Sequence, residues 1–396
     1  MRDLSEPPLR VLAADDSAVM RGIMRHLFLT YGGDSKSELP RMELCGVARD
    51  GVECLESVRQ LSPDVLVLDL EMPRLNGLEV LERLRRERPG LPVIMCSSHT
   101  EHGARSTLEA LARGASDYVM KPVEQKDFAS ALLSLAQQLL PRVAALAKGS
   151  KKEQGASRSG HARAGVARVN ADAMIELVVI GLSTGGPSAL EQMLPKLPVD
   201  FPVPVMIVQH MPKLFTGPLA ERLNKCCSVR VEQAYDGAAI RPGTVWLAPG
   251  DSHMEVADGM LAIGSDEQCW GRVKLHQREL LNHCRPSVDY LFFSAARTYG
   301  ARTLALMMTG MGSDGLGGAK AVHERGGVVL AQDEATSAVW GMPGRVVEAG
   351  IASATLPLDA LADELMQRIY AGRETRRPVQ HHAAISVRRE VIHGLL

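Results

Sequence analysis

The sequence predicts two doubly wound α/β domains in tandem, and three observations carry that reading. The chain has 396 residues, more than one ordinary core accommodates. Short, nearly continuous apolar runs alternate with amphipathic stretches, which suits parallel strands covered on both faces by helices. This alternation occurs twice, and the two blocks are separated by a stretch rich in Gly, Ala, Ser and Lys/Arg that has the composition of a linker.

In the first block, residues 1–140, LRVLAA (9–14), DVLVLDL (64–70), LPVIMCS (91–97) and SDYVMK (116–121) read as strands. GVECLESVRQL (51–61) and GLEVLERLRRER (77–88) read as helices between them. Residues 141–172 read as a flexible basic linker with seven basic and two acidic side chains, its first few residues extending the preceding helix. The second block, residues 173–372, starts at ELVVIGLS (176–183). It continues with strand candidates PVPVMIVQ (202–209), TVWLAP (244–249), RTLALMMT (302–309) and GVVLAQ (327–332). PSALEQMLPKL and VDYLFFSAARTYG read as helices. Residues 373–396, with five Arg and two Glu, read as a basic and poorly ordered tail.

Composition excludes several function classes. Lys and Arg number 45 against 46 Asp and Glu, a net charge of −1. With +5 in the linker and +3 in the tail, the two folded blocks together carry −9. Acidic folded domains without a base-reading motif argue against nucleic-acid binding. No apolar run approaches the 18 residues of a membrane span, and MRDLSEPPLR lacks the apolar stretch of a signal peptide. The seven cysteines, Cys45, Cys54, Cys96, Cys226, Cys227, Cys269 and Cys284, are odd in number and lack C-x-x-C spacing. The spacing therefore indicates neither a zinc site nor a disulfide framework, and a reducing cytoplasm is expected.

The first block carries acidic residues at strand ends. Asp15 and Asp16 close the first strand, and Asp69 stands near the end of the third, in VLVLDLEMPRLNG. In a parallel sheet these ends converge on one edge. Carboxylates gathered there repel one another, so a divalent cation is expected. Magnesium would take oxygens from Asp16, Asp69 and the Glu71 carbonyl. Lys121, after the fifth strand and before Pro122, brings an ammonium to the same edge. A carboxylate nucleophile, Mg²⁺ and a lysine are the parts needed for phosphoryl transfer to Asp69. Ser97 ends the fourth strand, where it would bond a new phosphoryl oxygen, and Tyr118 is spaced to respond. The ordered set DDS, D-x-x-M-P-x-x-x-G, strand-end Ser and K-P resembles a two-component receiver domain over 9–140. The resemblance implies a flavodoxin-like fold. YGGDSKSELPRM, between the first helix and the second strand, is longer than that pattern usually has.

The second block carries Ser183 in G-L-S-T-G-G, directly after an apolar strand. Pro187 suits the first turn of the following helix, and the glycines permit a tight strand-to-helix turn. The Thr184 N–H would face a developing oxyanion. G-x-S-x-G matches a nucleophile elbow, while nucleotide binding lacks the G-x-G-x-x-G or G-K-[ST] spacing. His210 follows PVMIVQ, and Asp314 follows LALMMT in TGMGSDG. A nucleophile, a base and an orienting carboxylate thus end three strands, as a Ser-His-Asp triad requires. The Met311 N–H would be a second oxyanion donor. His253 in PGDSHM also follows a strand and competes for the base. Asp333 and, less so, Asp289 compete for the acid. Spacing prefers His210 and Asp314 without excluding these. The order Ser, His, Asp and the position of the serine after the first strand of its block argue against an ordinary α/β-hydrolase.

GLSTGG, VQHMP, LAPGDSHM, RPSVD, TGMGSDG and AQDEATSAVWGMP occur in the order seen in the chemotaxis protein-glutamate methylesterases, which the chain resembles over about 9–370. That family joins a receiver to a Rossmann-like esterase domain. The resemblance implies Ser183, His210 and Asp314 as the triad, with His253 in the cleft. It implies hydrolysis of glutamate γ-methyl esters and deamidation of glutamines on methyl-accepting chemotaxis receptors. It also implies a chemotaxis histidine kinase as phosphodonor to Asp69, Mg²⁺ in the receiver, no cofactor in the esterase domain, and a cytoplasmic monomer. Arg285 is a candidate contact to the acidic receptor or a structural ion pair. The alternatives are a non-catalytic docking protein, a related pathway other than swimming, and a response-regulator transcription factor. The last would need a DNA-binding module, of which no pattern is evident.

Overall fold

The computed structural model describes residues 7–33, 39–122, 127–153, 174–257 and 269–374. The first domain runs β1 (Leu9–Ala14), α1 (Ala18–Tyr31), β2 (Met42–Ala48), α2 (Gly51–Leu61), β3 (Val65–Asp69), α3 (Gly77–Glu87), β4 (Val93–Ser97), α4 (Glu101–Ala112), β5 (Asp117–Met120) and α5 (Phe128–Glu153). Its five strands form a parallel sheet in the order β2-β1-β3-β4-β5. Strands β3, β4 and β5 are buried along their whole length, which explains why they read as unbroken apolar runs. The first four helices each start at a side-chain cap. Ser17, Asp50, Asn76 and Thr100 accept hydrogen bonds from first-turn N–H groups that have no helical partner.

The second domain runs β6 (Leu177–Leu182), α6 (Gly186–Met193), β7 (Val205–Gln209), α7 (Lys213–Cys226), β8 (Arg230–Gln233), β9 (Thr244–Leu247), β10 (His253–Ala257), β11 (Arg272–His276), α8 (Val288–Tyr299), β12 (Thr303–Met307), α9 (Leu316–Glu324), β13 (Val328–Gln332), α10 (Met342–Glu348), β14 (Ala354–Leu356) and α11 (Leu361–Glu374). Seven of these strands form one parallel sheet, β14-β13-β12-β6-β7-β9-β8. Val178, Ile180 and Leu182 of β6 pack on one face and Leu177 and Val179 on the other, so two apolar layers flank the sheet. The chain enters at the central strand β6, and β12 and β7 lie on either side of it. That reversal of strand order opens a crevice at the carboxyl ends. Strands β10 and β11 pair antiparallel as a separate hairpin, a departure from the purely parallel reading.

The linker expectation needs correction. Residues 141–153 continue α5, and Val143, Ala144, Leu146 and Ala147 are buried against the first domain's core. Pro141 lies inside the helix without ending it. The rest of the expected linker, most of the tail, and residues 34–38 of the long segment after α1 lie outside the described residues. Residues 373 and 374, assigned to the tail, close α11.

The two domains meet along α4 and β5 of the first and α6 and α7 of the second. Leu108, Leu111 and Tyr118 share one buried cluster with Leu190, Phe215 and Leu219. Tyr118 stacks on Phe215, with ring centroids 4.6 Å apart.

Candidate active site

Ser183 and His210 directly follow the neighbouring strands β6 and β7, and Asp314 lies in the loop between β12 and α9 on the same side of the sheet. The serine is fixed through its backbone. Its N–H donates to Thr309 O at 2.9 Å, and its carbonyl accepts from Gly186 N at 2.8 Å and Gln209 Nε2 at 2.9 Å. Two glycines make this turn possible. Gly185 has φ of 78°, a left-handed conformation that disfavours a side chain. A Cβ on Gly310 would stand 2.8 Å from the Ser183 Cβ, so only glycine lets the β12 loop approach the serine.

His210 Nε2 lies 2.8 Å from Asp314 Oδ2. Asp314 is 3% exposed and is held from several sides. Ser287 Oγ donates to Oδ1 at 2.7 Å, Asn282 Nδ2 to Oδ1 at 2.8 Å and Val288 N to Oδ2 at 2.6 Å. Burial would raise the Asp314 pKa, but the hydrogen bonds from His210, Asn282 and Ser287 lower it. Burial would lower the His210 pKa, but the hydrogen bonds with Asp314 and Cys284 raise it. Among the described residues, the Ser183 hydroxyl makes no hydrogen bond to His210. Catalytic hydrogen bonds often tighten only in the substrate complex. The other ring atom, Nδ1, is hydrogen-bonded to Cys284 Sγ at 3.7 Å. The backbone N–H groups of Thr184 and Met311 donate to no acceptor among the described residues, so both are available to a ligand oxygen.

The competing candidates have other occupations. His253 is fully buried under Tyr290, its Nδ1 accepting from Ser287 N at 3.2 Å and its Nε2 against Glu279 O at 3.1 Å. Both ring nitrogens are thus committed to backbone. Asp333 caps its own turn through Thr336 N and Oγ1. Asp289 binds Gly318 N and Asn282 one layer behind Asp314. Arg285 is paired with Asp251 at 2.6 Å, the structural alternative among its two readings. Cys284, in the cleft beside His210, carried no signal in the spacing of the cysteines.

The first domain closes one side of this cleft. Asp117, Tyr118, Met120, Gln138 and Arg142 line it together with Ser183, Thr184 and His210. Thr184 Oγ1 donates to Asp117 Oδ2 at 2.7 Å, and Arg142 Nε donates to the same oxygen at 3.0 Å.

A second constellation stands at the carboxyl edge of the first sheet. Asp15 and Asp69 are buried, and Lys121 Nζ lies 3.0 Å from Asp15 Oδ2 and 2.8 Å from Asp69 Oδ2. Neither oxygen receives a well-aligned hydrogen bond. Oxygens of Asp15, Asp16 and Asp69 fall within 4.8 Å of one another. Buried carboxylates with spare lone pairs fit a hard divalent cation. Burial and the neighbouring Asp15 push the Asp69 pKa up to about 6, against the pull of Lys121. Asp16 and Glu71 line a cavity with Leu70, Met72 and Asn76. Ser97 is fully buried at the end of β4, and its hydroxyl accepts from Thr107 Oγ1 at 2.8 Å.

Among the described residues no helix is long and apolar enough to cross a membrane. The family model described as CheB methylesterase matches residues 178–365, and that of the response regulator receiver domain matches residues 11–133. A protein-glutamate methylesterase/protein-glutamine glutaminase of Trichodesmium erythraeum is 40% identical, over 92% of this chain and 99% of its own. One of Salmonella choleraesuis is 38% identical, over 93% and 99%. Among solved structures, the catalytic domain of Thermotoga maritima CheB methylesterase is 39% identical. It covers 49% of this chain and 98% of its own, with a TM-score of 0.45.

Proposed function

The chain belongs to the CheB protein-glutamate methylesterase/protein-glutamine glutaminase family and is an enzyme of that class joined to a receiver domain, and from that premise we propose that Ser183, His210 and Asp314 hydrolyse glutamate γ-methyl esters on chemotaxis receptors under the control of Asp69. The observation that carries the reading is the 2.8 Å His210–Asp314 pair in the cleft that Ser183 lines, with Ser183 and His210 at the ends of adjacent strands and Asp314 in the loop after β12. Asp314 holds Nε2–H, so Nδ1 is the atom that takes the serine proton. Ser183 Oγ attacks the ester carbonyl, and the Thr184 and Met311 N–H groups receive the developing oxyanion. His210 then returns the proton to departing methoxide, giving methanol. A water activated by the same Nδ1 releases the glutamate side chain. With a glutamine side chain the same steps release ammonia.

The control scheme follows from the covered cleft. With the receiver docked, Asp117 and Tyr118 stand over Ser183 and Thr184. Asp15, Asp16, Asp69 and the Glu71 carbonyl would hold Mg²⁺, which supplies charge neutralisation for an incoming phosphoryl group. Asp69 is the acceptor, Lys121 pairs with the phosphoryl oxygens, and Ser97 hydrogen-bonds them. Because Tyr118 lies on β5 and Lys121 directly follows that four-residue strand, rearrangement at Asp69 weakens the docked state and opens the cleft. The phosphodonor is a chemotaxis histidine kinase, the substrates are receptor helices, and the setting is the cytoplasm.

Methanol release from methylated receptor by the full chain and its Ser183→Ala variant tests the reaction. Loss of release in the variant is expected. Equal release by both would remove the serine mechanism, and no release by either would favour a docking role.

A further inference from the structure

Cys284 reaches the cleft on a turn built for it. Leu281 and Cys284 exchange backbone hydrogen bonds of 3.3 and 3.0 Å, and Asn282 and His283 between them both adopt left-handed φ, 53° and 62°. Two successive non-glycine residues in that region are costly and persist only where the surroundings hold them. What holds them is Asn282, whose Nδ2 donates at 2.8 Å to both Asp314 and Asp289. The carboxylate that orients His210 therefore also anchors the turn that carries the thiol.

The result is a pair of soft donors facing each other. Cys284 Sγ stands 3.7 Å from His210 Nδ1. Sulfur and nitrogen ligands of a tetrahedral zinc, at about 2.3 and 2.0–2.1 Å from the ion, are about 3.6 Å apart. The far ring nitrogen of His210 donates to a buried carboxylate, the arrangement that fixes the tautomer and aim of metal-binding histidines. Donor atoms of His210, Cys284 and Asp314 fall within 4.8 Å of one another. This donor set differs in kind from the all-oxygen set at Asp69, because thiolate and imidazole select zinc over magnesium.

We infer that Cys284 Sγ and His210 Nδ1 form an inhibitory binding site for a soft divalent transition ion of the zinc type. Binding displaces the thiol proton to solvent and engages the Nδ1 lone pair. Water and the cleft oxygens complete the coordination. An ion there occupies the lone pair that Ser183 needs for proton transfer, so hydrolysis stops until the ion is withdrawn. The inhibition rests on the hydrolase reading above, whereas the binding does not.

Two measurements on the full chain separate these parts. Both use a Cys226→Ser, Cys227→Ser background, because that neighbouring pair, with sulfurs 3.9 Å apart, is a competing soft site. In the first, Co²⁺ replaces Zn²⁺ as a spectroscopic probe. A thiolate-to-cobalt charge-transfer band is expected, and its loss in Cys284→Ser and Cys284→Ala. A band that survives both substitutions, or none in the parent, overturns the site whether or not any hydrolysis is detected. In the second, methanol release is followed against buffered free Zn²⁺ with Mg²⁺ constant, each chain relative to its own zinc-free rate. The half-inhibiting zinc concentration should rise at least about tenfold in Cys284→Ser, the scale on which losing even an outer-shell partner weakens a metal site. Equal zinc sensitivity in parent and variant overturns the inhibition.

Discussion

Replacing Thr184 by Val should activate the unphosphorylated enzyme. The substitution keeps the shape of the side chain and the backbone N–H, and removes only the hydroxyl that donates 2.7 Å to Asp117 across the domain boundary. Both residues are buried, Thr184 at 4% and Asp117 at 6% exposure. A hydrogen bond to a charged acceptor contributes about 1.5–3 kcal/mol, equivalent to about 10- to 150-fold in the balance of closed and open forms. Arg142 remains on the same Asp117 oxygen, so the acceptor is not orphaned and the lower end applies. Methanol release without phosphodonor should therefore rise by about tenfold. The ceiling is the phosphodonor-stimulated rate, which should change little, so the stimulation ratio falls. An exposed contact at the same boundary provides the control. Arg105 pairs with Glu221 at 2.8 Å with both side chains more than half exposed, and water screens such pairs. Arg105→Ala should leave the basal rate within about twofold. An unchanged basal rate in Thr184→Val would refute the latch. A fall in basal and stimulated rates together would assign the hydroxyl to catalysis instead.

Three further outcomes follow from the same contacts. Asp69→Ala should retain the basal rate and lose all stimulation by a small-molecule phosphodonor, and equal stimulation of variant and parent would exclude Asp69 as acceptor. Combining Asp69→Ala with Thr184→Val should keep the raised basal rate of the single Thr184 variant, since the latch lies downstream of the phosphorylation site, and a return to the parent's basal rate would break that order. Asp50→Ala should destabilise the receiver by about 1 kcal/mol at neutral pH, because its carboxylate caps α2 through Val52 N and Glu53 N. Burial raises the Asp50 pKa, but Arg74 and the two N–H groups outweigh it and hold it below the usual carboxylate value. The cap's stabilisation is therefore full above the unfolded carboxylate value, about 3.9, and is lost as pH falls through the lower folded value. The gap between the unfolding midpoints of parent and variant should narrow in that acid range, and a constant gap would show that the charge of Asp50 plays no part.

The parallel sheets and their strand-end residues were legible because they follow local rules. A strand buried on both faces must be apolar for its whole length, so a polar residue at its carboxyl end stands out. Asp15, Asp69, Ser97, Ser183 and His210 all stand at such ends. Features that depend on distant partners were not legible. Whether His253 or His210 serves Asp314 turns on what occupies the nitrogens of His253, and those partners, Ser287 and Glu279, come from elsewhere in the chain. The helix through 141–153 was masked by Pro141 and by basic composition, although its buried Val143, Ala144, Leu146 and Ala147 recur at helical spacing. Cys284 was invisible to spacing arithmetic because its partner His210 lies 74 residues away. The β10–β11 hairpin consists of two five-residue strands, too short for a strong period.

One short strand relates the two sites. β5 carries Asp117 and Tyr118, which touch the second domain, and Lys121 follows directly, with its ammonium between Asp15 and Asp69. The backbone of Lys121 is tied to Ser97 O at 2.8 Å, so the residues expected to meet a phosphoryl group share this edge. A modification shifts an equilibrium only by its difference in interaction with the two states. The docked state combines the shared apolar cluster of Leu108, Leu111, Tyr118, Leu190, Phe215 and Leu219 with one buried charged hydrogen bond, worth about 1.5–3 kcal/mol, and one aromatic stack, worth about 0.5–1.5 kcal/mol. Recruiting Lys121 and Ser97 to a phosphoryl group would exchange their contacts with Asp15, Asp69 and Thr107 for charge-assisted bonds to phosphate, and β5 carries that change toward Asp117 and Tyr118. Asp117 opens β5 and bonds Thr184, the residue after Ser183, while Lys121 follows the other end of the same four-residue strand, so in the proposed scheme a shift of β5 reaches the atoms around Ser183.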